Sequence, residues 1–222
     1  MTTLSRLTRH LLPSFAILFA FTLCTGTVIA QNSAPGSAWS QQDTGRITRE
    51  VQKKLGSLSN LGVFDWITFR IQGRSIVLSG YASRPTLKSD AGRVLKNISG
   101  VESVDNQIHV IPFLRNDDRI RAAVYNRIYT QPALRIYNAN QGTVNQAIGP
   151  NGRRTAYMSG GITKYPPQGF NAIHIIVQNG NVTLYGVVNS ESDKTIAGMQ
   201  ANSTPGVFKV VNDLVVQNSA SK

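Results

Sequence analysis

Hydrophobic and polar positions repeat at two different spacings along the chain, and the change of spacing marks separate elements. Apolar residues recur every three or four positions from Ile47 to Leu58, which predicts an amphipathic helix. From Ile67 to Ile71 every second residue is apolar, as in a strand with one buried face. The complete pattern predicts helix, strand, strand, helix and strand at residues 43–59, 67–71, 75–81, 83–99 and 101–111.

The same order of elements occurs a second time. The segment IVLSGYASRPTLKSDAGRVLKNISGVESVDNQIHV begins at Ile76 and aligns without a gap with VTLYGVVNSESDKTIAGMQANSTPGVFKVVNDLVV, which begins 106 residues later at Val182. The leading helices align 73 residues apart, so the second copy contains 33 additional residues between its first helix and first strand. Asn179-Gly180 is a strong signal for a two-residue turn. The predicted elements of this copy lie at residues 117–128, 172–178, 182–188, 190–201 and 207–216.

We therefore predict an α+β fold of two tandem αββαβ modules, each a three-stranded mixed sheet packed under two helices. The modules are predicted at residues 44–112 and 115–218, after a flexible segment at 31–43, and the second contains an inserted loop at about 131–170. A module of about 65 residues without the insertion lies near the lower limit for a single core. The two modules are therefore expected to support each other across the short connection at 112–115.

The first 30 residues are predicted to be a signal peptide that directs export. They begin with basic residues, contain no acid, and continue into an apolar stretch from Leu11 to Leu23. This stretch is shorter than the roughly 20 residues that span a bilayer, and Val28-Ile29-Ala30 fits a small-residue cleavage pattern. Cleavage after Ala30 would remove Cys24, the only cysteine. An uncleaved membrane anchor is the alternative.

Two motifs that contain glycine occur once in each copy. An [IV]-x-L-x-G strand ends at Gly80 and at Gly186, where we expect the chain to turn sharply toward a helix. A G-V-x-x-V-x-N-x-[IL]-x-V segment begins at Gly100 and at Gly206, where we expect a left-handed residue to end the helix. The asparagines of this segment are expected to bond backbone at a bend in the last strand. The six residues predicted to define the fold are Gly80, Gly100, Asn106, Gly186, Gly206 and Asn212.

These motifs and the αββαβ order resemble the BON domain family. The resemblance covers about residues 45–111 and 117–216 and leaves out the insertion. It implies a protein without enzymatic activity, located in the bacterial periplasm, that binds phospholipid and supports the membrane under osmotic or envelope stress. The second copy departs from the first in its later helix, where Asp193 stands at the position of Leu87 and Gln200 at that of Val94.

The net charge of +12 gives information about the class of binding partner and not about the fold. Removal of residues 1–30 would leave +10, because that segment holds two arginines and no acid. For an exported protein, this charge favours anionic phospholipid over nucleic acid, which we do not expect as a partner. A basic surface that is merely solvated is the alternative.

No combination of residues indicates catalysis, and we predict no catalytic residue, no metal and no cofactor. The histidines after residue 30, His109 and His174, lie in predicted strands without acids or cysteine at ligand spacing. The sequence contains no phosphate-binding loop and no nucleophile elbow. Asp117-Asp118 is explained by the preference of a helix N-terminus for negative charge.

The candidate lipid-binding residues are basic and aromatic side chains in the insertion, together with basic residues on the later helix of the first module. The insertion mixes cations with aromatic residues such as Tyr137 and contains no acid. The candidates are Arg84, Lys88 and Lys96 on the helix and Arg135, Arg153, Arg154, Tyr157, Lys164 and Tyr165 in the insertion. Two alternatives remain open: an insertion without function, and docking on other envelope proteins through the insertion or a sheet edge.

Overall fold

The computed structural model describes residues 38–59, 61–138, 163, 167 and 171–217. The first module consists of α1 (Gln41–Gly56), β1 (Trp66–Gln72), β2 (Ser75–Ala82), α2 (Pro85–Lys96), β3 (Ser103–Asn106) and β4 (His109–Val110). The second consists of α3 (Arg115–Thr130), a 3-10 segment (Pro132–Tyr137), β5 (Ile173–Gln178), β6 (Asn181–Val188), α4 (Glu191–Asn202) and β7 (Lys209–Val216). The predicted signal peptide and most of the predicted insertion lie outside the described residues.

Both modules have the same mixed sheet, as predicted. The middle strand pairs antiparallel with the strand before it and parallel with the strand that closes the module. In the first module, Leu78 of β2 lies opposite Phe69 of β1. In the second, Leu184 of β6 lies opposite Ile175 of β5. This arrangement confirms an α+β fold of two tandem αββαβ modules.

The closing strand of the first module is interrupted, whereas the sequence predicts one strand over 101–111. The side-chain amide of Asn106 donates from Nδ2 to the carbonyl of Lys88 at 2.7 Å and accepts from the backbone N–H of Ile108 at 3.3 Å. Asn212 makes the corresponding bonds in the second module, where β7 is continuous. The prediction that both asparagines bond backbone is confirmed.

Gly80 and Gly186 lie inside strands rather than at their ends, which corrects the prediction of a sharp turn. Their φ values are +113° and +130°. A Cβ at Gly80 would overlap the carbonyl oxygen of Trp66 on the neighbouring strand, and one at Gly186 would overlap that of Ala172. Glycine is therefore needed because the adjacent strand approaches closely.

Gly100 and Gly206 have the predicted positive φ, +92° and +87°. They lie in the turns after the helices rather than directly at the helix ends, since α2 ends at Lys96 and α4 at Asn202.

The second core contains residues from the first module. Val63 and Phe64, in the loop between α1 and β1, are buried in the cluster that α3, β5, β6 and α4 form. The Phe64 ring packs edge-on against Tyr125 at 6.4 Å between centroids. The backbone N–H of Ile175 donates to the carbonyl of Val63 at 2.8 Å, so the same loop also covers the edge of β5. The first module thus completes the second.

The two sheets also face each other on the sides that carry no helices. The rings of Trp66 and Tyr185 stack across this interface, with 5.4 Å between centroids and 1° between planes. Side chains along a strand alternate between the two faces of the sheet, so Val77 and Ile176 point away from the helices of their own modules. Both are nevertheless buried. By contrast, Phe113 in the connection is 52% exposed. The modules therefore support each other, as predicted, through a loop and the sheet faces rather than across residues 112–115.

No helix in the described part of the chain combines the length and the apolar character that crossing a membrane requires.

Candidate functional site

The outer face of α3 is cationic. Arg115, Arg119 and Arg127 are exposed, and their spacing places them within about 120° of the helix circumference. The acids of this helix, Asp117 and Asp118, are 1% and 2% exposed. The helix therefore presents positive charge to solvent and keeps its negative charge inside the module.

The buried acids of α3 hold backbone of other elements. Asp117 accepts from the backbone N–H groups of Asn179 and Gly180 at 2.8 and 2.9 Å. These two residues form the turn between β5 and β6, and both have positive φ. Asp118 accepts from the backbone N–H of Thr163 at 2.9 Å. Their position at a helix N-terminus was predicted, but their main role is to fix a turn and a distant segment.

Arg121, on the inner side of the same helix, is structural. It is 1% exposed. Nη2 donates to the carbonyl of Val177 at 2.9 Å, and Nη1 donates to Oγ1 of Thr163 at 3.0 Å. Burial lowers the pKa of its guanidinium, whereas the neighbouring Asp118 acts in the opposite direction. Arg121 therefore does not belong to the surface.

Helix α1 has a similar outer face in the first module. Arg46, Arg49 and Lys53 are exposed and lie within about 60° of one another. Arg46 faces Asp43 at 3.8 Å and Glu50 at 3.6 Å. Arg49 and Lys53 form no ion pair with any described residue. The first helix of each module thus exposes cations.

The predicted candidates of the first module are Arg84, the N-cap residue of α2, and Lys88 and Lys96 within α2. They have the same spacing as the three arginines of α3 but a different environment. Arg84 and Lys88 are only partly exposed, because they adjoin the side of the helix that buries Leu87 and Leu95. Lys96, the last residue of α2, is exposed. These three residues remain predicted contacts. The cationic surface of α3 is more exposed than theirs, because all three of its arginines are exposed.

Of the predicted candidates in the insertion, Arg135 is described and is exposed in the 3-10 segment. Arg153, Arg154, Tyr157, Lys164 and Tyr165 lie outside the described residues.

Tyr137 belongs to the core rather than to an aromatic surface. Its hydroxyl donates to Oδ2 of Asp193 at 2.8 Å and accepts from the backbone N–H of Asn189 at 2.7 Å. Burial raises the pKa of Tyr137. This contact also explains why the second module has a carboxylate where the first has Leu87: Asp193 meets a hydroxyl that the first module lacks.

Sequence reasoning missed the arginines of α3, although the signal was present. At 100° per residue, Asp117 and Asp118 fall on the same side of the helix as Ile120, Val124 and Ile128. That placement would have predicted buried acids and an outer face without negative charge. Within the described residues, no group of three or more His, Cys, Asp or Glu could hold a metal ion.

Comparison with known proteins gives one family. A family model described as BON domain matches residues 43–112 and 162–218, which together make up more than half of the chain. No curated protein matches the chain. The similar solved structures include CdsD, a structural protein of the type III secretion system of Chlamydia trachomatis, at 14% identity and a TM-score of 0.24, covering 78% of this chain and 92% of that one. The C-terminal domain of CdsD is similar at 14% identity and a TM-score of 0.23, covering 81% of this chain and 99% of that one.

The first matched segment runs from α1 to β4, and the second covers β5, β6, α4 and β7 but not α3. Both include the glycine and asparagine positions of the closing strand. The chain therefore belongs to the BON domain family, of which it carries two domains in tandem.

Proposed function

We propose that this chain is a non-enzymatic periplasmic protein that binds anionic phospholipid surfaces and supports membrane integrity under osmotic or envelope stress. BON domains form a non-catalytic family of periplasmic and envelope proteins that is associated with membranes and phospholipid. The observation that carries the proposal is the outer face of α3, where Arg115, Arg119 and Arg127 are exposed and both acids are buried.

The magnitudes favour attachment at more than one point. A cation near an anionic surface contributes about 1 kcal/mol, so three arginines give about 3 kcal/mol, which corresponds to binding weaker than millimolar. Phe113 and Leu114, directly before α3, are 52% and 41% exposed. Burial of one large apolar side chain adds about 1.5–3 kcal/mol. The outer face of α1 and the candidates Arg84, Lys88, Lys96 and Arg135 are further contacts that would raise the affinity.

Liposome flotation of the purified chain tests the proposal. With phosphatidylglycerol vesicles at low salt we expect recovery in the floating fraction, which decreases as salt screens the charges. With phosphatidylcholine vesicles we expect little. Equal recovery with the two lipids at low salt would contradict the electrostatic mechanism.

Variants locate the contact. Arg115→Gln with Arg119→Gln should lower recovery strongly, whereas Arg70→Gln with Lys209→Gln removes the same charge from exposed strand positions and should have a smaller effect. A triple glutamine variant of Arg84, Lys88 and Lys96 tests the α2 candidates in the same assay. If the strand variant loses as much binding as the α3 variant, net charge rather than a defined face is responsible.

A second candidate function is docking on another envelope protein. Among the described strands, β7 lies at the edge of the second sheet. Val211 and Val215 of β7 and Val187 of β6 are 37%, 61% and 47% exposed. An edge strand with exposed apolar residues is a common protein-binding surface. Cross-linking in intact cells distinguishes the two functions, because lipid binding predicts no dominant protein partner and docking through β7 predicts one that Val211→Thr with Val215→Thr removes.

A further inference from the structure

The facing sheets of the two modules leave a cavity of about 600 Å³ between them. This volume lies within the range of small-molecule sites, about 300–1,000 Å³. Strands β1 and β2 line one side, and β5 and β6 line the other. Neither module has this cavity alone, so the site depends on the tandem arrangement.

Three aromatic rings from the two sides meet at the cavity. Tyr185 stacks on Trp66 at 5.4 Å and lies nearly parallel to Tyr81 at 6.2 Å, with 26° between their planes. Parallel rings at such centroid distances are offset rather than fully overlapped, so part of each face is left uncovered. All three side chains are partly exposed. Burial, together with Tyr81 and Asp213, raises the pKa of Tyr185.

The remaining side chains that line the cavity are polar. Nε2 of Gln178 is buried and has no hydrogen-bond partner among the described residues. A buried donor without an acceptor is costly, and an acceptor group of a ligand in the cavity would remove this cost. Gln107 also lines the cavity, and its Nε2 donates to Asp105 at 2.6 Å. The side-chain oxygen of Gln107 is an acceptor that a ligand can bond. The cavity therefore presents both a donor and an acceptor, beside Thr68 and His109.

The charge of the cavity differs from that of the chain. None of its described lining residues is Asp, Glu, Lys or Arg, although the chain carries a net charge of +12. A site for a phosphate headgroup would be expected to contain cations. An uncharged pyranose fits better, because its C–H face packs on aromatic rings and each hydroxyl both donates and accepts.

We propose that the cavity between the two modules, a cleft open to solvent, binds a short oligosaccharide of uncharged pyranose rings. These rings pack on the uncovered parts of the Trp66, Tyr81 and Tyr185 rings and bond through hydroxyl or amide groups to Gln178 and Gln107. This site is separate from the outer face of α3, so its failure would leave the lipid proposal untouched.

Tryptophan fluorescence of the full chain carrying Trp39→Phe tests the proposal. The chain contains two tryptophans, so in this background the emission comes from Trp66 alone. The probes are chitotriose, which carries N-acetyl groups, cellotriose, which does not, and glycerol phosphate as an anionic ligand. We expect a saturable change with at least one trisaccharide. A response to chitotriose alone assigns the site to amino-sugar glycans, and a response to cellotriose assigns it to neutral glucans.

Two variants make the test specific to the cleft. Gln178→Leu should weaken binding about tenfold, as expected for one lost hydrogen bond. Its thermal stability should equal or exceed that of the parent, since the substitution removes an unpaired buried donor. The matched control is Gln72→Leu, at the equivalent exposed position of the first module, and it should bind like the parent. Thr68→Val is a second variant in the lining and should also weaken binding.

The proposal is overturned if neither trisaccharide gives a saturable change. It is also overturned if Gln178→Leu binds as well as Gln72→Leu, or if glycerol phosphate binds in the cleft more tightly than both sugars.

Discussion

The side-chain amide of Asn106 occupies the space that the missing side chain of Gly92 leaves. Its Nδ2 donates to the carbonyl of Lys88 at 2.7 Å, and a Cβ at Gly92 would stand 2.8 Å from that nitrogen. The second module repeats the relationship, with 2.7 Å between Nδ2 of Asn212 and the Cβ position of Gly198. In each module, the amide that ties the closing strand to the helix packs against a helical glycine.

This relationship predicts that Gly92→Ala destabilises the protein. In an open helix, the same change stabilises by up to about 1 kcal/mol. Here the added methyl group must displace Asn106, and we expect a loss of about 1–3 kcal/mol in the free energy of unfolding, measured in urea. The control is Gly56→Ala, where an added Cβ meets nothing within 4 Å. A Gly92→Ala protein as stable as the Gly56→Ala protein would contradict the packing argument.

The repeat made most of the fold predictable, because an alignment of the chain with itself carries information about packing. Ile47 lies against Gly100, and Ile120 lies against Gly206. The first residues of these pairs align at an offset of 73 and the second at 106. The two offsets inferred from sequence are therefore both consistent with the structure, in which the same isoleucine–glycine contact occurs once in each module.

The contacts between modules could not be predicted in this way. Val63 and Phe64 lie in a short loop without periodicity, and their burial depends on a core that the other module builds. In the cleft, Trp66 contacts Tyr185, which lies more than a hundred residues later in the chain. The sequence of each strand shows only that this face of the sheet carries both polar and apolar residues. Such sites form when two complete sheets pack against each other. The periodicity within one segment contains no information about that packing.

The bond between Tyr137 and Asp193 predicts a coupled effect in the second module. Asp193→Leu introduces the residue that the first module has, but it deprives the Tyr137 hydroxyl of its acceptor, and we expect a loss of about 1–3 kcal/mol. In a Tyr137→Phe background, the same substitution should cost less. Glu191→Leu, which removes an exposed charge from the same helical turn, is the control and should cost no more than about 1 kcal/mol. Equal losses from Asp193→Leu in the two backgrounds would exclude the coupling.

Phe64→Ala should destabilise the second module although the residue belongs to the first. Truncation of a fully buried phenylalanine costs about 3–5 kcal/mol, whereas Phe113→Ala, at a residue that is 52% exposed, should change little. Hydrogen exchange locates the effect, because the backbone N–H of Ile175 donates to the carbonyl of Val63, the residue before Phe64. We expect faster exchange in β5. Faster exchange confined to α1 and β2 would show that the loop serves its own module instead.

His174 should make the protein sensitive to mild acid. Its ring lies 5.2 Å from that of Trp66, and Nδ1 lies 3.3 Å from the carbonyl oxygen of Gly62. Burial lowers the pKa of His174, against a smaller opposing effect of Asp65 and the backbone. Histidine in the unfolded chain has a pKa of about 6.5. As the pH falls below this value, the unfolded chain therefore binds a proton more readily than the folded protein does.

The free energy of unfolding should accordingly be constant above about pH 7 and decrease as the pH falls toward about 5, a range in which carboxylates with ordinary pKa values stay ionised. Urea unfolding at a series of pH values measures this decrease. His174→Gln should abolish most of it, because the amide does not titrate. His109→Gln, which alters an exposed histidine, should retain it, and a decrease that survives in His174→Gln would place the acid sensitivity in another group.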